Sequence, residues 1–176
     1  MKKIKLVLMF VVLSSIITTM GCSKEKDTPQ PTPTPVAPAP VSYSKFNLAK
    51  ITVTSMSFYN SSGYTWDTSS DPDIYFLMSN SAGTLLVDGS TIYQSNIAPA
   101  NLPISWTSTT PYVINPITEG FYIHLYDNDV NDFPSNSDDY IGSVWFNMSN
   151  YTSTYSTTVY SNNGTIYITI NGTWSN

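Results

Sequence analysis

Phe121-Tyr122-Ile123-His124-Leu125-Tyr126-Asp127-Asn128-Asp129 holds the key to the chain. Phe121, Ile123 and Leu125 recur at every second position, the period of a strand with one face in a core. His124 alternates with them and is expected to point outward. The strand then breaks into an acidic stretch. The same period-two pattern appears at Ile51-Val53, Ile74-Phe76, Ile141-Ser143-Trp145 and Ile166-Ile168-Ile170. Turn residues separate these runs: Ser61-Ser62-Gly63, Asp88-Gly89 and Asn162-Asn163-Gly164. No segment has the apolar spacing of a long amphipathic helix, and there is no internal repeat. About eight short strands with regular turns predict an all-β antiparallel β-sandwich over residues 43–176. Trp145, in step with Ile141, is expected in the core.

Charge sharpens the picture. The chain has no arginine, and its last lysine is Lys50. His124 is the only cation candidate beyond it. The same stretch carries Asp67, Asp71, Asp73, Asp88, Glu119, Asp127, Asp129, Asp132, Asp138 and Asp139. Three of these fall between positions 67 and 73 and five between 127 and 139, so they are clustered at strand edges. Two carboxylates 4 Å apart repel by roughly 1–4 kcal/mol, depending on the local dielectric. Exposure, protonation or a bound cation relieves that cost. Oxygen-only ligands on irregular loops suit calcium better than magnesium. No cysteine or histidine pair offers a zinc site. Nothing basic enough for nucleic acid remains in the domain.

The acidic segments read Trp66-Asp67-Thr68-Ser69-Ser70-Asp71-Pro72-Asp73-Ile74-Tyr75-Phe76, and Asp127-Asn128-Asp129 followed by Asp138-Asp139-Tyr140-Ile141-Gly142. Together they resemble the C2 domain, the calcium-dependent membrane-binding sandwich of protein kinase C and the synaptotagmins. In that family a loop aspartate precedes, by six positions, one that opens a strand; Asp67 and Asp73 match. The family's later loop leaves a strand as Asp-x-Asp and meets the next as Asp-x-Ile-Gly; Asp127, Asp129 and Asp139 match. An opening strand at Leu48 to Phe58 and a closing one at Thr165 to Trp174 also fit. The resemblance implies an eight-stranded C2-like sandwich binding Ca2+ through Asp67, Asp73, Asp127, Asp129 and Asp139. Asp71, Asp132 and Asp138 are further candidates, as are the backbone carbonyls of Trp66 and Asn128. The sequence departs from the family in its long insertion, Val130 to Ser137, and in lacking a basic strand for phosphoinositides. An anionic partner would be met through calcium. Trp66 and Phe133, in the acidic loops, are candidates for lipid insertion or for loop packing.

The N-terminus carries an address. Lys2, Lys3 and Lys5 precede an apolar run to Ile17, and small or flexible residues lead to Gly21-Cys22. This is the layout of a secretory signal over residues 1–21. Thr19-Met20-Gly21-Cys22 resembles the lipoprotein processing box, departing at Thr19, where Leu, Val or Ile is preferred. Cys22 is the only cysteine, so the mature chain is expected to be lipidated there and to form no disulfide. Residues 22–42 read as a tether, with Pro29, Pro31, Pro33, Pro35, Pro38 and Pro40 favouring an extended polyproline stalk. The implied location is the bacterial outer membrane or cell envelope, facing the periplasm or the cell surface.

No Ser-His-Asp arrangement or phosphate loop appears, and no catalytic residue is expected. The glycosylation sequons, such as Asn171-Gly172-Thr173, carry little meaning on a bacterial lipoprotein. The leading expectation is therefore a non-enzymatic calcium-binding module whose partner is an anionic lipid, a glycan or a protein. Two alternatives stand beside it: a structural or adhesive sandwich in which calcium only stabilises loops, and a glycan-binding or glycan-processing envelope protein. An aromatic platform on a sheet face would favour the glycan reading.

Overall fold

The structure, a computed structural model, describes residues 41–67, 70–129 and 137–176. The signal, Cys22, most of the tether, Asp132 and Phe133 lie outside these residues. The described residues form eight strands: β1 (Lys45–Ser55), β2 (Ile74–Asn80), β3 (Leu85–Asp88), β4 (Ile104–Ile114), β5 (Phe121–Asp127), β6 (Asp139–Phe146), β7 (Thr158–Asn162) and β8 (Tyr167–Ser175). They make two four-stranded sheets, ordered β4-β1-β8-β7 and β3-β2-β5-β6. Every pairing is antiparallel. The chain is an all-β, sandwich-like fold, as its periodicity predicts.

The alternating residues meet between the sheets. Ile74, Phe76 and Met78 of β2, Phe121, Ile123 and Leu125 of β5, and Val144 and Phe146 of β6 face Phe46, Leu48, Ile51 and Val53 of β1 and Ile168 and Ile170 of β8. Each such side chain contributes roughly 1.5–3 kcal/mol when taken fully out of water. The inward set of β1 changes parity between Leu48 and Ile51. A register shift between Leu48 and Lys50 absorbs the extra residue. The opening strand expected from the family resemblance, Leu48 to Phe58, is displaced by three residues from β1, Lys45–Ser55.

β4 has little apolar pattern, being rich in Ser and Thr with Pro111 inside it. Its place at the edge of its sheet makes this tolerable, since an edge strand has one unpaired side and proline lacks an N–H. Its pairing with β1 also skips from Thr107 to Tyr112, so Pro111 lies in the unpaired stretch.

β6 corrects the expectation for Trp145. Val144 and Phe146 are the buried residues, and Trp145 stands on the outer face opposite Tyr122. The cause is a register shift between Leu125 and Tyr126 of β5, where Leu125 faces Gly142 and Tyr126 faces Tyr140. Ile141 is the extra residue of that bulge, so its parity does not carry on to Trp145. The indole instead covers Gly120, where a Cβ would collide with the ring.

Candidate metal centre

β5 delivers a carboxylate into the sandwich by simple alternation. Phe121, Ile123 and Leu125 are inward, and the next inward position is Asp127, which is 0% exposed. Asp129, two residues on, and Asp67, from the loop before β2, are each 5% exposed. One carboxylate oxygen from each of Asp67, Asp127 and Asp129 lies within 4.8 Å of the others. Three aspartates, one closing β5, one just past it and one from the loop before β2, thus converge at one end of the sandwich, with no Lys or Arg in residues 51–176 to offset them.

Backbone contacts hold the two loops together. Asp73 N donates to Asp127 Oδ1 at 2.6 Å, and Asn128 N donates to Asp73 O at 2.8 Å. The opening of β2 is therefore stitched to the end of β5, where Ile74 also pairs with Asp127. Thr65 Oγ1 donates to Asp67 O at 2.6 Å, and Ser70 Oγ donates to Asp67 Oδ2 at 2.9 Å. These bonds set the direction of Asp67 before any ligand arrives.

Of the other expected carboxylates, the described ones, Asp71, Asp73, Asp138 and Asp139, lie outside this 4.8 Å set. Asp73 turns Oδ1 onto Asn96 N at 2.7 Å. Asp139 pairs with Asp127 across the β5–β6 ladder and is exposed. Asp138 accepts from Asp129 N at 3.2 Å through Oδ1 and from the Tyr75 hydroxyl at 2.7 Å through Oδ2. It braces the backbone that presents Asp129. Burial first, then this hydrogen bond, pushes the Tyr75 phenol above the ordinary tyrosine range, so it stays a donor. Asp71 is exposed. The roles of Tyr75, Thr65 and Ser70 had no signal in the sequence, because each depends on a contact between segments or on a loop conformation.

His124 lies on the outer face, as its parity predicts. Its Nε2 is 2.8 Å from Ser79 Oγ, and its ring lies beside those of Tyr122 and Tyr140. Burial lowers its pKa. Trp66 is half-buried, and its indole N–H donates to Ser57 O at 2.9 Å, which ties the ring back against the fold.

The trio passes a simple test of fit to a hard cation. Its donors are all anionic oxygens, they are buried, and they converge from irregular loops. Neither a protein-family model nor a curated protein matches the chain.

Proposed function

We propose that the sandwich is a calcium-binding, non-enzymatic module, carried on a lipid anchor at Cys22 in the bacterial envelope. The observation that carries the metal reading is the convergence of three buried aspartates in a domain without lysine or arginine beyond Lys50. At about 5 Å apart, each pair of such charges repels by a few kcal/mol at an effective dielectric of ~20. A divalent cation turns that repulsion into attraction. Asp67, Asp127 and Asp129 would hold the ion. Asp73, Asp139 and the carbonyls of Trp66 and Asn128 belong to the same segments and would supply further oxygens. Calcium accepts such irregular sets of six to eight oxygens, whereas magnesium demands near-octahedral geometry. A bound ion offsets most of the trio's negative charge, and a coordination position that the protein leaves open can take an oxygen of an anionic lipid, glycan or protein group.

Extracellular calcium modules work at dissociation constants of about 10⁻⁴ to 10⁻³ M, so tight binding is not needed. Calcium at one to ten times such a dissociation constant adds about 0.4–1.4 kcal/mol of stability. Calcium in the millimolar range should therefore raise the melting temperature of the domain, and magnesium should raise it much less. Absence of a calcium shift at these concentrations removes the metal reading.

The anchor has its own test. In a bacterial host, Cys22→Ser should move the protein out of the membrane fraction and leave the precursor uncut or miscut. A variant that fractionates with the membrane like the parent protein would exclude lipid at Cys22.

A further inference from the structure

A second feature at the same end of the sandwich shares only Trp66, through its backbone carbonyl, with the metal reading. After β1 the chain forms a small hairpin closed by a Tyr59–Thr65 bridge. Asn60 Oδ1 accepts from Ser62 N and Tyr64 N, and Asn60 N donates to Tyr64 O. Gly63, at φ +82°, completes the turn. Trp66 follows, its ring fixed by the bond to Ser57 O. Opposite stand Tyr140 of β6 and Asn163 of the β7–β8 turn. Asn163 is also held: its Nδ2 donates to Ser143 O at 3.0 Å, and its Oδ1 accepts from Thr165 N and Ile166 N.

Between these groups lies a cleft of about 470 Å³. Its size is that of a small-ligand site. It is lined by Tyr59, Trp66 and Tyr140 and by the polar residues Ser57, Asn60 and Asn163, and among the described residues no charged side chain lines it. Tyr59 and Tyr140 are 59% and 50% exposed, which leaves their rings accessible. Tyr140 also begins a run of rings over the outer face of the β3-β2-β5-β6 sheet. Its centroid is 5.2 Å from that of Tyr126, which stacks on Tyr75 at 5.3 Å and 13°. On the other side it is 6.2 Å from His124, which leads through Tyr122 at 5.7 Å to Trp145 at 4.6 Å.

We infer that the cleft binds a neutral polysaccharide, with sugar rings against Tyr59, Trp66 and Tyr140 and the chain continuing over the aromatic sheet face. A sugar ring has a C–H face and an edge of hydroxyls. The first suits the electron-rich face of an aromatic ring. The second suits amides and hydroxyls held in fixed positions, as Asn60 and Asn163 are. The charge of the lining selects the occupant. A cationic partner would call for carboxylates and an anionic headgroup for Lys or Arg, and the described lining residues include neither. Membrane insertion calls for a free apolar tip, whereas the Trp66 indole is bonded to Ser57. The inference does not need the metal, although Trp66 and Tyr140 are chain neighbours of Asp67 and Asp139.

Affinity electrophoresis of the full chain tests this, with mannan, xylan and a β-1,3-glucan cast separately in the gel, in calcium and in EDTA. At least one polysaccharide should retard the protein. Tyr140→Ala and Tyr59→Ala should each weaken that retardation tenfold or more while leaving the melting temperature near that of the parent. Tyr160→Ala, 72% exposed on β7 and outside the cleft, should leave it unchanged. Retardation in both buffers supports a cleft that works alone, and retardation only in calcium supports one ordered by the metal centre. No retardation by any of the three overturns the inference, and an intact calcium melting shift would then leave the metal reading standing. Retardation without a calcium shift would do the reverse. If phosphatidylglycerol vesicles bind through Tyr59 and Tyr140 while no polysaccharide does, the face is a lipid surface and the glycan inference fails.

Discussion

Asp127→Asn should abolish the calcium-induced rise in melting temperature and, in EDTA, should make the protein more stable than its parent. The two effects have one cause. Asp127 is fully buried and shares its surroundings with Asp67 and Asp129. Neutralising it removes two of the three mutual repulsions in the trio, each on the order of 1–4 kcal/mol at about 4 Å. The amide keeps the shape of the carboxylate, and its oxygen can still accept from Asp73 N, as Asp127 Oδ1 does at 2.6 Å. Little packing is therefore lost while charge is removed. A gain of about 1–3 kcal/mol in EDTA is expected, against a loss of the roughly 0.4–1.4 kcal/mol that millimolar calcium adds to the parent. Thermal melts of both proteins in EDTA and in millimolar calcium read both numbers. Asp88→Asn is the control: this side chain is exposed and far along the chain from the trio, and its carboxyl is held below the usual range by bonds from Ser90. It should change neither quantity. If Asp127→Asn destabilises the protein in EDTA, the trio is a structural hydrogen-bonding cluster and its mutual repulsion is not the dominant effect.

Gly172→Ala should lower stability by about 3 kcal/mol, the upper end of what an overpacked core costs. Gly172 lies on the inward face of β8, between Ile170 and Trp174 in alternation, and pairs with Leu48 of β1. A Cβ there would collide with Asn47 O and come within 2.7 Å of the Phe46 ring. Phe46 is fully buried and packs edge-on to Trp174 at 5.1 Å, so its ring has nowhere to go. The carbonyl belongs to the β1–β8 ladder and can move only if the two central strands of that sheet separate. The melting temperature should fall on the order of 10 °C. Gly63→Ala gives the contrast. Its Cβ would meet nothing within 4 Å, and only the cost of φ +82° applies, roughly 1–2 kcal/mol. If Gly172→Ala costs no more than Gly63→Ala, the close approach of β1 and β8 does not constrain the fold.

Alternation of apolar residues decided the class of fold without any tertiary information. Phe121, Ile123 and Leu125 can be buried together only in a strand, and the turn residues between such runs leave no room for long helices. The same alternation carried one step further places Asp127 inward, and the lack of Lys and Arg after Lys50 is a property of the sequence alone. What the sequence could not decide is where alternation breaks. A bulge adds one residue and reverses every later side chain on that strand, so Trp145 moved to the surface and β1 changed parity between Leu48 and Ile51. Nor could spacing decide which acids share a site. Asp67 is sixty residues from Asp127, and their convergence depends on the stitching of Asp73 to Asp127 and Asn128. That same stitching sets Asp73 on Asn96, while the bond to Tyr75 makes Asp138 a brace. The aromatic face and the cleft beside Tyr140 belong wholly to the tertiary level, because ring contacts across β2, β5 and β6 follow from register, which no single strand contains.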